Sequence, residues 1–473
     1  MIFAPTLGVS MALLQDSGTE LTIYNQGFAL VKEVRQMTLK PGRQTVTVED
    51  VAQQIETNSV GVKSLSDPNG FTVLEQNYQY DLISPLAILN KAVGGRVTFL
   101  RVLPNGTKES ISGTLISSPT AVVGNQNGGG QLTWNGMVIR TDDQKILLNP
   151  SGEIQVDSLP DGLISKPTLL WDLVSEKGGN QKIELSYLTR GTTWNADYVL
   201  TIDGSNKGDL QGWVTLTNNS GATWKDAKLK LLAGDVQRVD RPQGRGGRPA
   251  MEMSADAMAK NFAEESLFEY HLYTLQRPTT VRNNEQKQVS LLEATGITYT
   301  KRLILDSMMD FGMYYPSEGE IGVGVIKPMV KIDFLNKTEN KLGMPLPKGN
   351  VKVYQRDKSG SVQMLGEDQI EHTPRDEKLS LVVGRSFDVV GERKRLNFRR
   401  INDRTFEETF EIEVRNRKTT EETVEVWERH YGDWRILNTS QDWVKADATT
   451  QVYTVKLAAN TTKKVTYTVQ TRW

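Results

Sequence analysis

Alternating hydrophobic and polar residues run through nearly the whole chain. Short segments of this kind, such as LTIY from Leu21 and FALV from Phe28, are separated by turn residues such as Asn25-Gln26-Gly27. A two-residue period puts one side of a strand against a core and the other side in water, which is typical of antiparallel sheets. We therefore predict a mainly β chain, with helix confined to about 84–93 and 250–268.

Three later stretches share one plan, in which an alternating strand ends at Asn, a polar turn follows and a second alternating strand returns. They begin with VTLTNNS (214–220), VKIDFLNKT (330–338) and FEIEVRNR (410–417). This repeated pattern of strand, turn and strand predicts multiple antiparallel immunoglobulin-like β-sandwiches. The order of their strands does not follow from the pattern.

The segment from about Gly95 to Pro160 has shorter strands and more frequent turns. Its apolar runs are four to seven residues long and are separated by Asn and Gly clusters. This spacing predicts a small closed β-barrel inserted into a larger β scaffold. A short helix precedes it, with Ser84 as N-cap, Pro85 at the first helical position and Gly94-Gly95 at its end.

The length of 473 residues favours several domains, because single cores rarely exceed about 300 residues. We expect a small helical insert and a Gly/Pro/Arg-rich loop at about 240–268, with residues 240–250 open to proteolysis. The predicted units are a remnant signal segment (1–18), an amino-terminal β domain ending in a short helix (19–94), the barrel insert (95–165), a β-sandwich (166–300) and a carboxy-terminal immunoglobulin-like sandwich (301–473).

The first fourteen residues are mostly apolar or small, and Ser10-Met11-Ala12 has the spacing of a signal-peptidase site. A basic n-region is missing, so an ordinary apolar first strand is the alternative. The chain has no Cys, which agrees with export. We expect an exported protein, periplasmic, secreted or on the cell surface, without a transmembrane helix, since no run approaches the roughly 18 apolar residues that one needs.

Charge and residue usage narrow the possible chemistry. Lys+Arg number 56 and Asp+Glu 57, a net charge of -1, so no whole-protein field attracts nucleic acid. The absence of Cys excludes thiol nucleophiles and Cys-ligated zinc. Three His form no local metal motif, and no nucleophile elbow, Walker loop or dinucleotide fingerprint occurs. We therefore assign no catalytic residue and predict no cofactor and no metal.

Three motifs resemble the bacterial mucoidy-inhibitor-like family: LSYLTRGTTWNADY (185–198), NNSGATWKDAKLKLLAG (218–234) and EYHLYTLQRPTTV (269–281). The resemblance extends over about 180–473. It implies an exported, β-rich envelope protein with a loose link to capsule or exopolysaccharide control, and it implies no catalytic residues, because the shared carboxy-terminal domain has no assigned function. The chain lacks the long coiled-coil insert of the longer family members.

Aromatic and basic residues near the carboxy terminus are the candidate ligand surface. The basic run 391–404 can bind a phosphate backbone or an acidic polysaccharide, although a charged edge strand is the simpler interpretation. Tryptophan faces in and beside the HYGDW hairpin can stack on sugar rings. The candidate residues are Trp427, Tyr431, Trp434, Arg393 and Arg395.

We assign other aromatic residues to the core, above all Trp194 and Tyr198, which share a strand face. Trp213 and Trp224 are expected to meet them across the sandwich. The leading hypothesis is a non-enzymatic binding or scaffolding component of the bacterial cell envelope, with an envelope protein or polysaccharide as partner. The alternative is a glycan- or peptide-directed hydrolase with paired carboxylates, which have no fixed sequence spacing.

Overall fold

The computed structural model describes residues 18–104, 106–120, 136–150, 152–238, 262–307 and 322–473, together with the backbone of 10, 11, 121–124 and 130–134. Strands make up 64% and helix 3%, arranged in multiple antiparallel sheets, which confirms the mainly β prediction. Most of the predicted signal segment and all of the predicted loop 240–250 lie outside the described residues.

The amino-terminal elements include the described α-helix, α1 (Pro85–Lys91), in which the Ser84 hydroxyl accepts a hydrogen bond from Ala87 N at 3.0 Å. This helix was predicted with the same cap. The strands before it are β1 (Ser10–Met11), β2 (Thr19–Tyr24), β3 (Phe28–Leu39), β4 (Gly42–Glu49), β5 (Gly61–Ser64) and β6 (Thr72–Gln79). The strands of the insert after it are β7 (Arg96–Val102), β8 (Lys108–Leu115), β9 (Thr120–Gly124), β10 (Gly130–Trp134), β11 (Val138–Thr141), β12 (Ile146–Leu148) and β13 (Glu153–Val156).

The remaining strands run to the carboxy terminus. The central ones are β14 (Thr168–Ser175), β15 (Gly179–Arg190), β16 (Thr192–Ile202), β17 (Lys207–Asn218), β18 (Trp224–Ala233), β19 (Phe262–Leu267), β20 (Tyr270–Leu275), β21 (Thr279–Val281) and β22 (Glu285–Thr298). The last ones are β23 (Thr300–Asp306), β24 (Gly324–Ile326), β25 (Met329–Leu335), β26 (Gly349–Arg356), β27 (Val362–Ile370), β28 (Lys378–Arg385), β29 (Val389–Asn402), β30 (Thr405–Asn416), β31 (Glu422–Arg429), β32 (Asp433–Thr439), β33 (Val444–Lys445), β34 (Thr450–Leu457) and β35 (Thr462–Arg472). Two 3-10 turns cover Thr57–Ser59 and Thr338–Asn340.

β25 and β28 contribute Ile332, Phe334, Leu379 and Leu381 to the first and larger core, which three further sheets enclose. Their strand orders are β1-β4-β14-β6, then β19-β20-β18-β2-β3-β15-β5 with β21 beside β18, and β22-β17-β16-β26-β27. Strands of the predicted unit 19–94 therefore pair with strands of the predicted unit 166–300. The boundaries stay a prediction, but the sheets cross them. Trp171, Trp194, Tyr187 and Tyr198 are almost completely buried in this core.

The insert has a small core of its own. Val97, Leu115 and Ile139 are buried there, and Leu89 of α1 packs against them. The order of its main sheet is β12-β11-β8-β7-β13, and β9 pairs with β10 separately. Among the described residues the edge strands β12 and β13 do not pair with each other, so the barrel closure that the turn spacing predicted is not seen there.

The predicted helix at 250–268 is wrong where the structure describes it. Residues Phe262–Leu267 form strand β19, which pairs with β20 as a hairpin. The side chain of Phe262 is completely buried in the first core. Helix-forming composition is a weak preference, and strand pairing together with burial of Phe262 overrides it.

The carboxy-terminal sandwich has a second core between the sheets β28-β25-β23-β31-β34-β33 and β24-β29-β30-β35-β32. Phe410, Val426, Tyr453 and Tyr467 are buried in it. One hairpin of this part of the sequence leaves the sandwich, because β26 pairs in parallel with β16 and β27 pairs with β26.

A buried asparagine ends the first strand of each of the three repeated stretches. Asn218, Asn336 and Asn416 are at most 1% exposed. Each side-chain amide donates hydrogen bonds to three backbone carbonyls: those of Ala222, Val281 and Arg282, those of Met344, Thr373 and Pro374, and those of Thr420, Leu457 and Ala458. The common sequence plan thus corresponds to a common way of tying strand ends together.

Candidate functional site

A cleft of about 650 Å³ opens at one end of the carboxy-terminal sandwich. It lies where the β29–β30 hairpin, the start of β32 and the end of β35 meet. Most of the side chains that line it are polar or charged. They are Asn402, Asp403, Arg404, Thr405, Asp433, Trp434, Arg435, Gln470 and Arg472.

The register of three strands brings these residues together. Arg472 of β35 lies opposite Thr405 of β30 and opposite Asp433 of β32. Gln470, two positions earlier, lies opposite Arg435. Because alternate residues of a strand share a face, Arg472, Gln470 and their strand partners line the same side of the sheet.

The turn between β29 and β30 supplies the remaining charge. Its conformation is held by two hydrogen bonds, from Arg404 N to Asn402 Oδ1 at 3.0 Å and from Trp473 N to the Arg404 carbonyl at 2.9 Å. These contacts keep the turn beside the end of β35. The Arg404 side chain is exposed.

The three arginines of the cleft form no close ion pair among the described residues, although Asp433 lies opposite Arg472 in the sheet. Arg404, Arg435 and Arg472 are exposed, and within the described part of the chain none has a carboxylate oxygen within ion-pair distance. Arg435 Nε donates to Gln470 Oε1 at 2.9 Å, which orients its guanidinium. Of the two cleft carboxylates, Asp403 accepts from Arg400 at 2.9 Å. Asp433 belongs to no ion pair in the described residues.

The basic run 391–404 contrasts with this cleft, because five of its six basic residues are paired with a carboxylate. The pairs are Arg393–Glu428, Lys394–Glu392, Arg395–Glu408, Arg399–Glu407 and Arg400–Asp403. Arg404 is the sixth. The run is therefore mostly neutralised, as the simpler interpretation of a charged strand requires.

Arg393 and Arg395, which the sequence placed on a ligand surface, are buried. Their side chains are 5% and 6% exposed. Neither side chain is presented to solvent, and a ligand surface that includes them stays a prediction. The reason for their burial is the alternation along β29, in which Gly391, Arg393 and Arg395 point into the sandwich while Lys394 points out.

The Arg393 guanidinium belongs to a buried polar network. It lies 2.8 Å from Glu428 Oε2, which also accepts a hydrogen bond from the Tyr467 hydroxyl at 2.5 Å. The guanidinium covers the Phe410 ring at 3.7 Å from its centroid. Burial opposes the charge, but the Glu428 carboxylate and the Tyr467 hydroxyl keep the pKa of Arg393 above its ordinary value. This network stabilises the sandwich interior and offers no charge to solvent.

The candidate aromatic residues are half-buried. Trp427 donates its Nε1–H to Glu425 Oε2 at 3.1 Å, and the Arg429 guanidinium lies 5.0 Å from its ring centroid. Tyr431 lines a small cavity beside Arg393. Trp427 is therefore engaged within the protein and gives no free stacking face.

Trp434 reaches the cleft, but its ring is also engaged. Its Nε1–H donates to the Ala448 carbonyl at 2.9 Å. The His430 ring lies 4.6 Å away between centroids, and Lys445 Nζ lies 4.7 Å from the Trp434 centroid. Trp434 is the candidate residue that the structure brings to the cleft, where it offers an edge and not an open platform.

The histidines do not assemble a metal centre in the described residues, where no group of three or more His, Cys, Asp or Glu could hold a metal ion. His271 Nδ1 lies 2.7 Å from Glu264 Oε1 on the neighbouring strand β19. Its partner is thus a carboxylate on the adjacent strand.

Sequence reasoning missed Arg435, Gln470 and Arg472. They are far from Asn402 and Arg404 in the chain, and only the pairing of β30, β35 and β32 makes them neighbours. A signal did exist, since both arginines lie in or beside segments in which polar and apolar residues alternate. Without strand order, this signal could not be used.

Comparison with known proteins leaves the family open. In the described part of the chain, no α-helix has the length and apolar content needed to cross a bilayer. A scan against models of protein families and a search of curated proteins both found no match to this chain.

Proposed function

We propose that this protein is a non-enzymatic binding component of the bacterial cell envelope, which holds an envelope polysaccharide or protein at the cleft of its carboxy-terminal sandwich. One observation carries the proposal. Arg404, Arg435 and Arg472 line one cleft, with no carboxylate at ion-pair distance among the described residues, in a region where the neighbouring basic residues are paired. Unpaired charge that a fold gathers in one cleft favours a charged ligand.

The architecture supports a binding role, because it holds the strands around the cleft in a fixed arrangement. The three buried asparagines tie strand ends to neighbouring loops, and the outer face of the last sheet carries ion pairs such as Arg415–Glu392 at 2.7 Å and Lys464–Glu411 at 3.0 Å. A fixed backbone reduces the entropy lost on binding. Location in the envelope is supported by the apolar, small-residue start of the sequence, by the absence of Cys and by the resemblance to the mucoidy-inhibitor-like family.

A hydrolase is the alternative function, because Asp403 and Asp433 line the same cleft. Paired carboxylates need one acid that keeps its proton and one base. Asp403 is exposed and already accepts a hydrogen bond from Arg400, so its carboxylate is engaged within the turn. This arrangement favours binding over hydrolysis.

The test uses the purified full-length chain and isolated bacterial envelope material. We expect cosedimentation with the envelope fraction, weakened in an Arg404→Gln/Arg435→Gln/Arg472→Gln variant, and no release of reducing ends or peptides. Cleavage that disappears in Asp433→Asn would establish the hydrolase instead. Lack of cosedimentation by the wild type would contradict the envelope-binding proposal.

A further inference from the structure

We infer that the cleft binds an acidic glycan, a chain of sugar rings that carry carboxylate groups. This inference rests on the proposed function and names the class of ligand for the same site. A site for such a ligand needs cationic groups that recognise carboxylates and uncharged polar groups that recognise sugar hydroxyls. The cleft contains both.

The cationic requirement is met by three guanidinium groups on separate elements. Arg404 comes from the β29–β30 turn, Arg435 from β32 and Arg472 from β35. Guanidinium presents a planar fork of donors that matches a carboxylate in two parallel hydrogen bonds. Since β32 and β35 are adjacent strands, about 5 Å apart, Arg435 and Arg472 can reach acidic groups on successive parts of one extended ligand.

The uncharged polar groups decide between a glycan and a nucleic acid. Asn402, Thr405 and Gln470 line the cleft beside the arginines, and Asp433 adds a carboxylate without an ion-pair partner among the described residues. Sugar hydroxyls donate to carboxylate and amide oxygens and accept from amide N–H groups. The Asp433 charge repels a phosphate backbone and an acidic sugar alike, but only the hydroxyl-rich sugar offers donors to the Asp433 Oδ atoms, as well as partners for the amide and hydroxyl groups of the lining.

The half-buried Trp434 limits how the sugar can lie. Its ring already contacts His430 and Lys445, so a sugar meets the ring edge and not a free face. We therefore expect recognition to depend mainly on charge and hydrogen bonds. Affinity should fall as salt is added, because exposed charges are screened.

The experiment measures binding of a polygalacturonate oligosaccharide to the full-length chain by calorimetry. The probes for comparison are a neutral dextran oligosaccharide, single-stranded DNA and polyglutamate. We expect the galacturonate to bind most tightly and to lose about tenfold or more in affinity in Arg404→Gln/Arg435→Gln/Arg472→Gln, since one charge-assisted hydrogen bond contributes about that factor. Asp433→Asn should tighten binding of the acidic probe.

A matched variant separates the cleft from net charge. Arg140, Arg277 and Arg417 are exposed, are outside the cleft and have no ion pair in the described residues. Replacing these three by Gln removes the same charge and should leave affinity unchanged. Equal losses in the two triple variants, or equal affinity for polyglutamate or DNA, would overturn the inference.

The two proposals fail in different ways. If the protein cosediments with the envelope through the cleft arginines but does not bind galacturonate, the inference of an acidic glycan is overturned. The proposed envelope-binding function then stays in place. If the protein neither cosediments with the envelope nor binds galacturonate, both the proposed function and the inference of an acidic glycan are overturned. The melting temperature and circular dichroism of each triple variant should match those of the wild type, because all six arginines are exposed.

Discussion

His430 is a titratable side chain enclosed in the carboxy-terminal sandwich beneath the cleft. It is 6% exposed, and its Nε2 lies 2.9 Å from Gln451 Oε1. Its ring contacts Trp434, and the charged groups near it are Glu428 and Arg393. Burial lowers the pKa of His430 below its ordinary value, so the ring is neutral in the folded protein at neutral pH.

This burial predicts a loss of stability on acidification. Because the pKa of His430 is lower in the folded protein, the unfolded chain takes up the proton first as pH falls. The stability contributed by the neutral ring is complete above the ordinary pKa of about 6.5 and is lost as pH falls from there through the folded pKa. Urea unfolding of wild type and His430→Gln at pH 7 and pH 5 isolates this contribution, since carboxylate titration is common to both proteins. We expect a smaller loss in His430→Gln; equal losses would contradict the assignment.

The burial of Trp194 leads to a second prediction at the residue scale, a loss of stability when this side chain is truncated. It is 1% exposed, donates its Nε1–H to the Leu232 carbonyl at 3.3 Å and contacts the Tyr273 ring edge-on. Trp194→Ala should cost about 3–5 kcal/mol in the free energy of unfolding. The control is Trp213→Ala, because Trp213 is 37% exposed and does not meet Trp194 across the sandwich as the sequence suggested. Similar melting temperatures for the two variants would count against the core assignment.

At the scale of elements, the alternating pattern correctly predicted those strands and helix ends that depend on neighbouring residues in the sequence. Ser84 and Pro85 fixed the start of α1, and each of the three repeated stretches proved to be two successive strands, which lie in different sheets. The pattern failed at Phe262–Leu267, where pairing with β20 outweighs helix preference. It also failed to separate the inward Arg393 from the outward Lys394 before the orientation of β29 was known.

The buried asparagines give a prediction at this scale. Asn416, at the end of β30, donates to the carbonyls of Thr420, Leu457 and Ala458, and Asn416→Ala leaves these carbonyls without this donor. A buried group without a partner costs about 1–3 kcal/mol, so we expect the free energy of unfolding to fall by at least about 2 kcal/mol. The exposed Asn438 on β32 provides the control, and Asn438→Ala should change stability by less than about 0.5 kcal/mol. Denaturant melts of both variants make the comparison.

At the scale of the whole molecule, the sheets connect segments that are far apart in the sequence. β2 lies between β3 and β18, and β26 lies beside β16. Long-range pairing of this kind leaves no local signature, because any alternating strand can pair with any other of suitable length. The candidate cleft depends on the same information, which explains why Arg404 was noticed in the basic run while Arg435 and Arg472 were not.

The β26–β27 hairpin leads to the last prediction, that the chain cannot be divided at residue 300. Val351, Val353 and Ile370 of this hairpin are buried in the first core, and the Tyr198 hydroxyl donates to the Pro347 carbonyl at 2.8 Å. A fragment ending at 300 loses these groups and leaves the edge of β16 unpaired, so we expect it to aggregate or to melt without cooperativity. Joining residues 329–385 to that fragment through a flexible linker should restore a soluble, cooperative unit, because the hairpin can then pair with β16 again and the buried residues of β25 and β28 return to the first core. Size-exclusion chromatography and thermal melts of the two fragments test this. A fragment ending at 300 that is monomeric and melts cooperatively without the hairpin would show that the first core is complete without β26 and β27.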